Sequence, residues 1–99
     1  MTEKEIEKKA KEHLLYLGYS FWFPPKSKFS QRDIFGVFDF IALKVHQVMF
    51  VQLTTIDHIS HRRKKINDFF LEHNGGVILP NCFIWAWDKL NYEFRIIDI

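Results

Sequence analysis

Val37-Phe38-Asp39-Phe40-Ile41-Ala42-Leu43-Lys44-Val45-His46-Gln47-Val48-Met49-Phe50-Val51-Gln52-Leu53-Thr54 is the stretch that decides the fold. It holds two runs rich in β-branched and aromatic residues, 37–44 and 48–54, with only Val45-His46-Gln47 between them, which is the pattern of a β-hairpin. Pairing Lys44 with Gln47 sets Asp39 directly opposite Gln52. Because side chains alternate along a strand, Thr54 then shares the face of Asp39 and Gln52, diagonal to Asp39, while Lys44 points to the other face. A slip of one residue would separate Asp39 from Gln52. The register therefore gathers a carboxylate, an amide and a hydroxyl among Ile, Phe and Val. A buried acid in such surroundings needs compensation, and a metal ion is one way to supply it.

Outward from the hairpin, the chain has 99 residues, enough for one domain (1–99) with one modest core. It is 47% hydrophobic and 17% aromatic, which excludes disorder over most of its length. The formal net charge of +2 says little, but its distribution says more. Lys26, Lys28 and Arg32 fall in one polar stretch, and His58 to Lys65 carries Arg62, Arg63, Lys64 and Lys65 without an acid. Two basic patches on a nearly neutral chain point to a polyanionic partner. Cys82 is the single cysteine, so neither an internal disulfide nor a multi-cysteine zinc site is expected, which fits a reducing, cytoplasmic setting. The charged N-terminus has no apolar signal region, and no apolar run is long enough to span a membrane.

Local signals give the remaining elements. Thr2 with Glu5 reads as a capping box opening a helix whose apolar stripe is Ile6, Ala10, Leu14 and Leu17, ended by Gly18. Residues 19–23 read as a short strand stopped by Pro24-Pro25. Asp57 or Ser60 is expected to cap a second helix reaching about His73, with Ile59, Ile66, Phe69 and Phe70 as its apolar face and Asn74-Gly75-Gly76 as its end. Residues 82–87 and 92–99 read as strands around a turn at 88–91. The order αβββαββ implies an α/β fold, a central mixed β-sheet flanked by helices. Trp22, Trp85, Trp87 and most Phe residues are expected in the core, as is Cys82. His58 and His61 lack companions for a zinc site.

The pattern resembles the PD-(D/E)XK nuclease superfamily and, within it, archaeal-type Holliday junction resolvases, from about Glu3 to Trp87. That family places a Glu on a first helix, then a Gly, a strand, a basic loop, a strand opening with Asp, and a strand carrying Glu-x-Lys. Asp39-Phe40-Ile41-Ala42-Leu43-Lys44 is similar to its Asp strand. The interval of 13 residues to Gln52 matches its spacing, and Glu7 precedes Gly18 by 11 as its helical Glu does. Gln52-Leu53-Thr54 stands where the family has Glu-x-Lys; Gln occurs at the first position in parts of the superfamily, whereas Thr54 removes a fixed positive charge.

The resemblance implies a restriction-endonuclease-like core and a metal-dependent DNA endonuclease, structure-selective on branched DNA in the manner of a Holliday junction resolvase. Glu7, Asp39, Gln52 and Thr54 are the implied catalytic positions. Asp39, Gln52 and the Leu53 backbone carbonyl are the implied ligands of Mg2+ or Mn2+, which would polarise the phosphate and activate water. Lys26, Lys28, Arg32, Arg62, Arg63, Lys64 and Lys65 are expected to hold the DNA backbone, giving salt-dependent affinity without base reading. Lys26 and Lys28, or Arg62 and Lys64, could replace the missing strand lysine. Junction resolution needs two sites, hence a homodimer, for which the aromatic strands at 83–87 and 92–94 offer a face. The alternative is a catalytically impaired nuclease-fold module that binds DNA or a protein partner.

Overall fold

The computed structural model describes residues 1–25 and 33–99; Lys26, Lys28 and Arg32 lie outside the described residues. The elements are α1 (Glu3–Leu17), β1 (Ser20–Trp22), β2 (Phe40–Lys44), β3 (Gln47–Thr55), a 3₁₀ turn (Ile56–His58), α2 (Ile59–His73), β4 (Cys82–Asp88) and β5 (Glu93–Asp98). The five strands form one mixed sheet in the order β1-β2-β3-β4-β5. Only β3 and β4 are parallel. A parallel pair needs a crossover, and α2 with its preceding turn supplies it.

The Thr2 cap forms as expected, with Glu5 bonded to its hydroxyl rather than to its backbone N–H. The Thr2 hydroxyl accepts from the Glu5 N–H and donates to Glu5 Oε1, each at 3.2 Å. Gly18 ends α1 in the left-handed region at φ +81°, where a side chain would be strained. Ile6, Ala10 and Leu14 are buried along α1, and Ala10 and Leu14 pack with Phe40, Ala42, Val51 and Trp85. On the other face, Ile66 and Phe70 of α2 pack with Phe38, Cys82, Ile84 and Ala86. Completely burying a side chain such as Phe40 or Ile84 stabilises the fold by about 1.5–3 kcal/mol, so these two clusters fix which face each helix takes.

The hairpin register is the expected one. Lys44 pairs with Gln47 and Phe40 with Val51, and the Asp39 N–H continues the ladder to the Val51 carbonyl at 2.8 Å. Lys44 lies on the α1 side, where its Nζ donates to the Leu17 carbonyl at 2.8 Å.

Some details differ from expectation. The first hairpin strand begins at Phe40 rather than Val37, because residues 33–38 close their own tight turn. The Val37 N–H donates to the Ile34 carbonyl at 3.0 Å, with Phe35 (φ +54°) and Gly36 (φ +71°) at the centre. Phe35 stacks on Phe69 of α2 with ring centroids 5.9 Å apart, which offsets part of the ~1–2 kcal/mol that a left-handed residue costs. Neither Asp57 nor Ser60 caps α2. The 3₁₀ turn runs straight into the helix, and the cap residue His58 makes no side-chain capping bond. The helices also cover the sheet unequally. Trp22 and Leu43, which the register puts on the α2 side, are exposed.

Candidate active site

The carboxyl end of β3 carries Gln52, Leu53, Thr54 and Thr55 to one end of the sheet. The amino-terminal halves of both helices meet there, α1 through Glu3, Ile6 and Glu7, and α2 through Arg62 with His58 just before it. Together with Met1, Asp33 and Asp39 these residues line an open pocket of about 210 Å³. The positive ends of two helix dipoles favour negative charge in such a place.

Asp39 sits in the bend just before β2 and is buried. Its Oδ2 accepts from the Leu53 N–H at 2.6 Å and from Gln52 Nε2 at 2.9 Å. Gln52 Nε2 also donates to the Leu53 carbonyl at 3.1 Å. Gln52 is only 2% exposed, and its Oε1 has no hydrogen-bond partner. A buried acceptor in that condition costs about 1–3 kcal/mol. Arg62 reaches the pocket from the first turn of α2, and its Nε is likewise buried without a partner. Gln52 and Arg62, which carry these two unpaired atoms, thus line the same pocket as Asp39.

The expected residues that the structure describes divide into those that line the pocket and those that do not. Glu7, Asp39, Gln52, Leu53 and Thr54 all line the pocket. Glu7 is also bridged to Lys11 of its own helix, with Oε1 3.3 Å from Nζ. Among the cations of α2 only Arg62 lines it. Lys64 is exposed and paired with Asp68 at 2.6 Å on the same helix, and neither it nor Arg63 or Lys65 borders the pocket. Helical geometry explains this, since four consecutive residues point in four directions.

Asp33 and His58 also line the pocket, beside the residues expected there. The tight turn at 34–37 carries the usable signal. It brings Ile34 and Phe38 into an antiparallel bridge, so the flanking residues Asp33 and Asp39 emerge together.

One further expectation changes and one holds. The aromatic strands do not offer a dimer face at Trp85 and Trp87, which are buried in the chain's own core. Trp85 packs edge-on to His13 at 5.5 Å, and Phe94 stands 5.0 Å from Trp87. Cys82 is buried beneath α2, and burial pushes its thiol up, which keeps it protonated and unreactive.

For a cation, the donors are the Asp39 carboxylate, the Gln52 amide and the Leu53 carbonyl. Among the described residues there is no group of three His, Cys, Asp or Glu side chains able to hold a metal ion. The set is made of oxygen donors with one formal charge, which suits Mg2+ or Mn2+ and not zinc. Of these donors, the Gln52 amide turns its nitrogen rather than Oε1 toward Asp39 and the Leu53 carbonyl.

No helix among the described residues is long and apolar enough to cross a membrane. Compared with family models, characterised proteins and solved structures, the chain shows no match.

Proposed function

We propose that this chain is a metal-dependent endonuclease with a restriction-endonuclease-like core of the PD-(D/E)XK type, acting on DNA and favouring branched substrates. The observation that carries the reading is the pocket itself. Residues far apart in sequence converge at the carboxyl end of a central strand, and the lining includes the buried Asp39 together with Gln52 and Arg62, which keep an amide oxygen and a guanidinium N–H unpaired. Convergent polar groups with unmet hydrogen-bonding capacity are the mark of a site shaped for a ligand.

In this reading Asp39, Gln52 and the Leu53 carbonyl hold Mg2+ or Mn2+. The ion, when bound, polarises the scissile phosphate and lowers the pKa of the attacking water. Arg62 takes a phosphate oxygen through its buried N–H and supplies the positive charge that Thr54 cannot. Thr54 offers a hydroxyl to the same pocket, and Glu7 orders solvent at its wall. Arg63 and Lys65 hold the DNA backbone alongside, together with Lys26, Lys28 and Arg32. Two such chains, as a homodimer, would serve a junction with two strands to cut.

One observation favours a second reading. Gln52 Nε2 already satisfies both Asp39 and the Leu53 carbonyl, so the site is stable without a cation, as a DNA- or protein-binding module with an inherited nuclease architecture would be.

Incubation with labelled four-way junction, flap, single-stranded and duplex DNA, in Mg2+ and then Mn2+, separates the two. The nuclease reading expects metal-dependent cleavage by the native chain and none by Asp39→Ala. Tight, metal-independent binding by both proteins without cleavage supports the module instead.

A further inference from the structure

Phe35 is a costly residue for the place it holds. The turn at 34–37 has positive φ at both central positions, Phe35 (φ +54°) and Gly36 (φ +71°), and the Val37 N–H closes it on the Ile34 carbonyl at 3.0 Å. Asn-Gly fills such a turn best, because asparagine tolerates the left-handed region and a bulky ring does not. The ring is not there to be buried either, since Phe35 is 68% exposed. Backbone strain kept at an exposed aromatic residue points to a use outside the turn itself.

The ring is anchored from one side. Phe69 of α2 stacks against it, with centroids 5.9 Å apart and planes 29° apart. Phe69 in turn stands edge-on to the buried Phe70 at 5.2 Å. The position is also close to the pocket described above. Asp33 lies two residues before Phe35 and lines that pocket, and two residues of chain span at most about 7 Å. Arg62, which lines the same pocket, and Phe69 are seven residues apart on α2, hence two turns apart on one helix face, about 10 Å along the axis. A cation facing the pocket and an exposed aromatic stack therefore follow one another along the same helix, at a separation that a few nucleotides cover at ~3.4 Å per step.

We propose that Phe35 is a stacking platform for an unpaired base of branched DNA, and that it sets the preference for branched over continuous duplex DNA. The proposal rests on the DNA reading above and names the residue that selects among DNA structures. Every base has a flat π face that an aromatic ring can cover, so such a platform is indifferent to sequence. In an uninterrupted duplex those faces are covered by the neighbouring base pairs. A base at a branch or flap has one free. Arg62 takes the backbone of any DNA, whereas Phe35 favours only a strand whose bases beside the pocket are unpaired.

The test measures affinity for a flap and for a continuous duplex of the same length, in chelator so that nothing is cut, with the native chain, Phe35→Asn and Phe35→Trp. Asparagine suits the left-handed turn, so Phe35→Asn removes the ring and keeps the backbone, and its melting should stay close to that of the native chain. The native chain should prefer the flap by about tenfold or more, the scale of one base–aromatic stack. Phe35→Asn should lose that preference while holding the duplex as before, and Phe35→Trp should retain it. A fluorescent adenine analogue at the first unpaired position should be quenched by the native chain and Phe35→Trp and not by Phe35→Asn. A flap preference unchanged in Phe35→Asn, an equal loss of affinity for both DNAs, or no flap preference in the native chain overturns the platform. Cleavage in Mg2+ or Mn2+ is scored separately. A native chain that cuts DNA while Phe35→Asn keeps the flap preference leaves the nuclease reading standing without the platform. A native chain that cuts nothing, with the preference lost in Phe35→Asn, leaves the platform standing without the nuclease.

Discussion

Asp39 and Asp88 make a controlled comparison inside one molecule. Both are 8% exposed. Both accept a backbone N–H and a side-chain amide. Asp88 Oδ1 takes the N–H groups of Leu90 and Asn91 at 3.0 and 3.2 Å, and its Oδ2 takes Asn91 Nδ2 at 2.8 Å. Those donors lie two and three residues downstream, so the carboxylate ties off the turn between β4 and β5. Asp39 draws its donors from Gln52 and Leu53 on the neighbouring strand. Its amide partner keeps an unpaired oxygen, and Arg62 adds an unpaired N–H to the same pocket. Burial and hydrogen bonds do not separate a structural carboxylate from a functional one. What separates them is whether the partners have capacity left over.

The sharpest way to break this comparison is to truncate each aspartate in turn. Asp39→Ala should lower cleavage at least ~100-fold, the scale seen when one preorganised electrostatic group is removed from a site. Asp88→Ala should leave the rate unchanged at temperatures where it is folded. Equal losses in a cleavage assay would show that the two carboxylates do not differ in kind.

Next in size is the pairing of Arg62 with Lys64. Arg62→Gln should weaken DNA binding about tenfold or more, since a hydrogen bond to a charged group contributes ~1.5–3 kcal/mol, and should reduce the salt slope by about one. Lys64→Gln should change affinity little, because Lys64 is exposed and spent on Asp68. Affinity against salt concentration measures both.

Asp88 offers a smaller, pH-dependent effect. Hydrogen bonds from the Asn91 side chain and backbone, aided by Leu90 and the charge of Arg95, hold its carboxyl below the usual carboxylate value of 3.8 despite burial. A carboxyl lowered in the folded state contributes stability that is present above its unfolded value and is lost as pH falls through the lowered one. Melting curves below pH 4 should therefore show a shallower acid loss in Asp88→Asn than in the native chain.

The smallest expected effect touches neither aspartate. Gly18→Ala meets no atom within 4 Å, so its cost is the left-handed backbone alone. It should destabilise the chain by about 1–2 kcal/mol in denaturant unfolding, leaving the DNA cleavage rate unaltered.

Much of this arrangement was legible in the sequence because its causes are local. The hairpin register follows from alternation plus a short loop, and it placed Asp39 against Gln52 and Lys44 on the far side. The Thr2–Glu5 box and Gly18 fixed α1, and hence the reach of Glu7. Other features depend on convergence that no short window contains. The turn at 34–37 rests on a phenylalanine in a left-handed conformation held against Phe69 of α2, and this turn brings Asp33 to the pocket. The start of α2 carries no side-chain cap because a 3₁₀ turn feeds it, so Asp57 and Ser60 were misleading signals. Which of four consecutive cations faces the pocket, and which end of an amide faces a carboxylate, are settled only by packing.

The most direct test of the central claim is the relaxation effect of Mn2+ on the 15N-labelled chain with a short duplex bound. Binding at the Asp39 pocket should broaden the backbone amide signals of Asp39, Leu53 and Thr54 first and leave those of Leu90 and Asn91 sharp. Broadening that spares the Asp39 pocket, or that begins around Asp88, would contradict a cation site between Asp39 and Gln52.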